Sequence, residues 1–217
     1  MKIKFNWRLM LLPFINLAAI LCLLPFLPEQ IPMHFNYQWE IDGYGSKLSF
    51  ILMPLLLIGL GLLFQLLPHI DPLGKNYARF QKRVDHSFIA LSLFMIGTEL
   101  IMILAAASID FIKPDILFQG LFGLLFMFLG NIFPKIKHNY FMGIKTPWTI
   151  SNEDNWTMTH RFGGKLWFLG GFLAILFIVL PKELRTIALV IDLIVITLAP
   201  MIYSYIYFRK TRGYENA

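Results

Sequence analysis

Between Gly130 and Lys165 the chain reads GNIFPKIKHNYFMGIKTPWTISNEDNWTMTHRFGGK, the only long segment rich in both charge and aromatic residues. Three chemistries could use it. A metal centre needs three or four ligands, and although His138 and His160 share the segment, no Cys and no HExxH-type pair joins them, so the pattern argues for no metal and no cofactor. A hydrolase needs a nucleophile and a base in reach of one another. Thr159 and His160 are neighbours on a helix and do not face each other, which leaves Asp154, His160 and Arg161 as the residues such an enzyme would use. A surface for an anion or a protein partner needs only Lys135, Lys137, Lys145 and Arg161 near a helix N-terminus. The competing reading of those cations is ordinary basic charge facing anionic lipid heads.

The elements that must carry this segment are membrane spans. Of the 217 residues, 57% are hydrophobic and 15% charged, against roughly a quarter charged in soluble domains. Mean hydropathy is +0.64. Apolar runs at Leu9 to Leu27, Leu48 to Leu67, Phe88 to Ser108, Asp115 to Phe133, Leu166 to Leu180 and Thr186 to Phe208 each approach the roughly 20 residues a spanning helix needs. The expected fold is all-α: an integral membrane six-helix bundle with two structured loops. We divide it into an N-terminal three-span region, 1–110, with a turn-rich loop at 28–47, and a C-terminal three-span region, 111–217, carrying the segment at 130–165. The fifth run is the shortest and reaches full length only if Gly163-Gly164 enters the interface.

Basic residues set the expected orientation. Lys2, Lys4 and Arg8 precede span one; Lys75, Arg79, Lys82 and Arg83 separate spans two and three; Lys135, Lys137, Lys145, Arg161 and Lys165 separate four and five; Arg209, Lys210 and Arg212 follow span six. The other loops hold only Lys47, Lys113, Lys182 and Arg185. This bias predicts cytoplasmic termini and a cytoplasmic 130–165 segment, with 28–47 extracellular. It also accounts for the net charge of +6 without nucleic acid, for which no basic soluble face exists. Basic residues before an apolar core resemble a signal peptide, but no small-residue cleavage site follows Pro25-Phe-Leu-Pro28, which predicts a retained first span. Cys22, the only cysteine, reads as a small hydrophobe.

Within 28–47, two prolines, Asp42-Gly43 and Gly45-Ser46 predict turns, and Tyr37, Trp39 and Tyr44 suit headgroup level or a recognition surface for an extracellular ligand. Glu99 and Asp192 fall well inside spans three and six. At about 2.5 to 3.5 kcal/mol each for a charged form, they should face the interior or be neutral, bonded to Asn16, Thr98, Thr197 or backbone, or serve a proton or ligand pathway. Gly59, Gly61, Gly120, Gly123, Gly170 and Gly171 offer close helix contacts, and Pro200 should kink or end the last span.

Locally, Pro147 pushes Thr146 out of the helical region, which predicts an extended or turned Gly143 to Thr149. Ser151-Asn-Glu-Asp154 has the form of a capping box that restarts a helix near Asn152. On that helix Trp156, His160, Gly163 and Trp167 form one stripe.

The residues Gly130-Asn131, Pro134-Lys135, Asn139, Gly143-Ile144-Lys145-Thr146-Pro147-Trp148-Thr149, Trp156, Thr159-His160-Arg161 and Gly164 resemble the signature of the SdpI immunity family. Ile31-Pro32, His34, Asn36, Asp42-Gly43 and Ser46-Lys47 resemble the loop pattern of the domain that precedes it there. The resemblance implies a non-enzymatic, six-span bacterial membrane protein that resists a secreted antimicrobial peptide of the SdpC type. It also implies signalling in the type member, through a small ArsR-like repressor held at the membrane. Lys145 stands where the family most often has Arg, and Trp39 where glycine is common. The alternatives left open are a small-substrate or proton-coupled transporter carried by Glu99 and Asp192, and the membrane hydrolase.

Overall fold

The computed structural model describes residues 5–36, 38–107 and 113–215, with side chains described as far as Thr211. Lys2, Lys4, Tyr37 and the Arg212 side chain lie outside this set. The chain is 80% helical. The main helices are α1 (Leu11–Leu23), α2 (Leu52–Ile70), α3 (Gln81–Ala106), α4 (Pro114–Ile132), a short α5 (Pro147–Ser151), α6 (Glu153–Leu176) and α7 (Lys182–Glu215). With their flanking turns, six are long and apolar enough to cross a membrane: Trp7–Phe26, Lys47–Ile70, Gln81–Ala106, Pro114–Lys135, Glu153–Val179 and Lys182–Thr211. The chain is a multi-pass membrane protein. Span five is not short: its helix begins at Glu153, so the second half of the polar segment is the first part of a 27-residue span.

The chain forms two compact units. One comprises Lys4–Gln65 and Phe88–Phe122. Here the turn-rich loop is more regular than its sequence suggests, since β1 (Gln30–Phe35) and β2 (Ile41–Ser46) pair antiparallel as a hairpin. Ile20, Ile31 and Phe50 form a buried cluster with Leu24, Leu27, Ile51, Met102 and Ile103 packed against it, so one apolar hairpin residue anchors the ribbon. At the turn, Asn36 Oδ1 accepts from the amides of Gln38 and Glu40 at 2.8 and 3.0 Å. Trp39 sits at φ +57°, the left-handed conformation a glycine would adopt freely. Its ring contacts Phe35 and Phe118, centroids 6.0 and 5.4 Å away.

Below that cluster, Glu99 is 2% exposed. Asn16 Nδ2 donates to its Oε2 at 2.7 Å, while Oε1 has no hydrogen-bond partner among the described residues. Of the glycines expected at helix contacts, Gly61 faces Met10 and Phe88 in this unit, whereas Gly59 and Gly120 face open space. Cys22 is exposed.

The other unit comprises Leu66–Ser87 and Gly123–Ala217. Lipid tails are as apolar as Leu, so helices in a membrane gain by close backbone approach rather than by burying apolar surface. Gly123 and Gly130 on α4 meet Gly171 and Gly164 on α6. A Cβ at Gly123 would lie 2.6 Å from the Gly171 carbonyl, and one at Gly130 would lie 2.7 Å from the Gly164 carbonyl. Gly170 instead faces the Asp192 carboxylate on α7.

Pro200 does not end α7, which runs on to Glu215. Proline has no N–H for the carbonyl four residues back, that of Ile196. Trp167 Nε1 donates to that carbonyl at 3.0 Å instead, and its ring stacks on Phe126 at 4.5 Å. The indole thus replaces the missing backbone donor and ties α6 to α7.

Candidate functional site

The signature segment folds around buried polar side chains, bonded mostly to backbone. Leaving a buried donor or acceptor unpaired costs about 1–3 kcal/mol, so each of these bonds constrains the loop. Asn139 is fully buried and uses its whole amide. Oδ1 accepts from the amides of Phe141 and Met142 at 2.9 and 2.7 Å, and Nδ2 donates to the carbonyls of Lys137 and Met142 at 2.9 and 3.0 Å. The segment before it is held from α6, where the buried Trp156 indole donates to the Ile136 carbonyl at 3.0 Å.

His160 stacks on Trp156 with centroids 4.1 Å apart. Its Nε2 accepts from the Ile144 amide at 2.9 Å, so the proton lies on Nδ1, which donates to the Trp156 carbonyl at 2.7 Å. Both ring nitrogens are therefore occupied and the ring is 1% exposed, which leaves neither free to take a substrate proton or to bind a metal. Gly143 adopts φ +109°, and a Cβ there would run into His160 Nε2. The residue must be glycine both for its backbone and for the space.

Thr146 is extended, at φ −118° and ψ 160°, as the following proline requires. The segment from Pro147, however, is not extended: it is the single-turn helix α5, with proline in its favoured first position. The capping box belongs to this turn. Thr146 Oγ1 accepts from the Thr149 amide at 3.1 Å, and Thr149 Oγ1 accepts from the Thr146 amide at 2.9 Å. Ser151 caps nothing, as it is the last residue of α5 and donates to the Trp148 carbonyl. Asn152 caps α6, its side chain accepting from the Asn155 amide at 2.7 Å. Proline after a threonine is a strong start signal, and here it wins over the Ser151–Asp154 spacing.

α7 closes the other side. Thr146 Oγ1 lies 3.0 Å from Ser204 Oγ, and Asn155 Nδ2 donates to the Ser204 carbonyl at 2.9 Å. Thr159 donates to Asn155 Oδ1 at 2.9 Å. Trp148 packs on Tyr205, centroids 5.0 Å apart.

The expected stripe on α6 is present: Trp156, His160 and Gly163 are buried and Trp167 half-buried. The site residues thus divide into two sets. Asn139, Thr146, Trp156, Thr159 and His160 are buried, with Gly143 and Trp148 partly so, while Asn131, Pro134, Lys135, Lys145, Pro147 and Arg161 are exposed. Lys135 donates to Asn131 Oδ1 at 3.0 Å. Lys145 and Arg161 make no ion pair with any described residue.

Sequence reasoning missed four participants outside the segment's motif, Asp71, Asn76, Tyr77 and Ser204. Only the turn formers around Asp71-Pro72 and Gly74 hinted at the first three. In the hairpin, His34 Nδ1 lies 2.5 Å from Asp42 Oδ1, Lys47 Nζ lies 2.9 Å from Glu29 Oε1, and Ser46 caps the turn that follows by accepting from the Leu48 amide.

Among the described residues, six helices long and apolar enough to span and a buried polar knot that leaves Lys145 and Arg161 exposed define a polytopic membrane protein with a structured polar segment. Comparison with known proteins agrees. The SdpI/YfhL protein family model matches residues 135–204, the stretch that holds this knot. A domain of unknown function (DUF1648) matches residues 11–58, which include the hairpin. The chain is 24% identical over 200 residues to the "Immunity protein SdpI" of Bacillus subtilis (strain 168), covering 92% of this chain and 93% of that one. No solved structure matches it significantly.

Proposed function

We propose that this chain is a membrane immunity protein that protects its cell against a secreted antimicrobial peptide of the SdpC type. The observation that carries the reading is the likeness to an immunity protein along nearly the whole of both chains. The basic-residue asymmetry supports a hairpin outside, where such a peptide arrives, and a signature region inside with both termini. On that arrangement the exposed Lys135, Lys145 and Arg161 form the inner surface for a partner, and an ArsR-like repressor is the candidate where signalling accompanies protection. The His34–Asp42 face of the hairpin is the candidate outer surface, and membrane lipid surrounds both. The chain has no direct role in binding nucleic acid.

The test is survival of a strain sensitive to an SdpC-type peptide, with and without this chain. Protection at ordinary expression supports the reading, and equal killing with the chain inserted in the membrane contradicts it. Topology is checked by alkaline phosphatase fusions at Gly43 and Asn152, where activity at Gly43 alone is expected.

A second reading, proton-coupled or small-substrate transport, draws on the buried Glu99 carboxyl with its one unpartnered oxygen. Flux through proteoliposomes that is lost in Glu99→Gln would favour it.

A further inference from the structure

Residues 71–80, the connection from α2 to α3, lie outside both matched stretches, 11–58 and 135–204. They form no part of the signature, yet they supply three of the bonds that hold its loop. Asp71 is buried, and both of its carboxylate oxygens are bonded: Oδ1 accepts from the Leu73 amide at 2.7 Å, while Oδ2 accepts from the Tyr77 hydroxyl at 3.0 Å and from the Tyr140 amide at 2.9 Å. The Tyr77 hydroxyl, fully buried, also lies 3.4 Å from Asn139 Oδ1. Asn76 Nδ2 donates to the His138 carbonyl at 2.8 Å. The backbone of His138 and Tyr140, on either side of the signature residue Asn139, is thus gripped from outside the motif.

The connection is itself built to present this grip. Gly74 donates its amide to the Asp71 carbonyl at 2.8 Å, closing a turn in which any Cβ would strike the Pro68 carbonyl. The Tyr77 ring rests on Phe80, centroids 4.8 Å apart, so the hydroxyl is aimed rather than free to rotate away. Burial, and then the Asp71 carboxylate, push the Tyr77 phenol above its ordinary range, so it stays a donor. A buried carboxylate is disfavoured unless hydrogen bonds compensate it, and here the compensation comes from two separate chain segments, its own turn and Tyr140. Ordinary loop closure would not require it.

We infer that the working surface of the signature region extends onto the α2–α3 connection, with Asp71 and Tyr77 as positioning residues that hold Tyr140, and with it the loop around Asn139, in the one conformation that displays the loop's cations. The inference rests on the immunity reading only for its functional arm. Tyr77 touches no partner itself; it acts through Asp71, to which its hydroxyl donates. Removing the clasp should free the 138–146 loop while leaving the helices intact, because α4, α6 and α7 are tied independently through Gly130–Gly164, Trp156 and Trp167.

The experiment compares wild type, Tyr77→Phe, Asp71→Ala and Asp71→Asn in the full chain, by hydrogen exchange in detergent and by peptide-toxin survival at matched membrane abundance. Tyr77→Phe keeps the ring and its packing, so it tests the hydroxyl with least risk to folding. Peptides covering 138–146 should exchange about tenfold or more faster in Tyr77→Phe and Asp71→Ala, with peptides of α4, α6 and α7 unchanged, and survival should fall in both. Asp71→Asn should recover part of each, since its carbonyl oxygen can still accept from Tyr77 or Tyr140. Wild-type exchange and survival in both Tyr77→Phe and Asp71→Ala would overturn the inference, and so would faster exchange spread evenly over the helices. If wild type itself gives no protection, the immunity reading fails, and the exchange pattern alone decides the clasp.

Discussion

In the hairpin, His34 and Asp42 meet at 2.5 Å with side chains 71% and 43% exposed, and Lys47 meets a largely exposed Glu29. In the signature region the arrangement is reversed: Asn139, Thr146, Thr149, Asn155 and His160 are buried and bonded mostly to backbone, and Lys145 and Arg161 stand exposed without an ion-pair partner among the described residues. The hairpin's polar residues pair with one another near solvent, where such a pair contributes little. Those of the signature region shape a loop, and its charge is left over for something else. Polar residues of similar type therefore do different work in the two regions, and burial rather than residue identity tells which.

The largest effect that would break this contrast lies at glycine. Gly143→Val should destabilise the protein by several kcal/mol, since the change both strains a positive-φ backbone and drives a side chain into His160. Gly43→Ala in the hairpin should cost much less, because its Cβ would only press on His34 Cβ at 3.0 Å, near the limit of normal contact. Melting of the purified proteins in detergent should separate them widely; equal losses would mean that the signature loop is no more tightly specified than the hairpin.

Next is Trp167→Phe, which keeps an aromatic ring but strands the Ile196 carbonyl beside Pro200, at about 1–3 kcal/mol. Glu99→Gln should be nearly neutral, because an amide oxygen can still accept from Asn16, whereas Glu99→Ala leaves the Asn16 amide unpaired at a similar 1–3 kcal/mol. A Gln variant that unfolds would show that the carboxyl's charge or proton is needed structurally. The smallest effect is expected from Asp42→Ala, under about 1 kcal/mol for an exposed pair, and smaller still at high salt.

Span number was legible in composition and run length, because a bilayer demands a fixed length of apolar helix, whereas the start of span five was not, since its first turns are as polar as a loop. The signature residues were legible as a motif, and the α6 stripe of Trp156, His160 and Gly163 as a helical period. What escaped was set by tertiary contact. The hairpin is two short strands rich in Gly and Pro, without clean alternation, and is anchored through one residue, Ile31. The Thr146–Thr149 box was hidden by the better-looking spacing at Ser151. Asp71 and Tyr77 carry no local signal for a bond made 69 and 62 residues away in sequence. Trp39 kept a glycine-like backbone that nothing in an aromatic residue predicts.

Arg161 is exposed, carries a charge that no described residue neutralises, and sits on a helix whose opposite face packs through Trp156, His160 and Gly163. The measurement is survival against an SdpC-type peptide for wild type, Arg161→Ala and Arg161→Lys at matched membrane abundance. We expect Arg161→Ala to lose protection and Arg161→Lys to restore only part of it, since lysine keeps the charge but not the planar fork. Wild-type protection by both variants would contradict a working surface on the signature region and reduce its cations to topology signals.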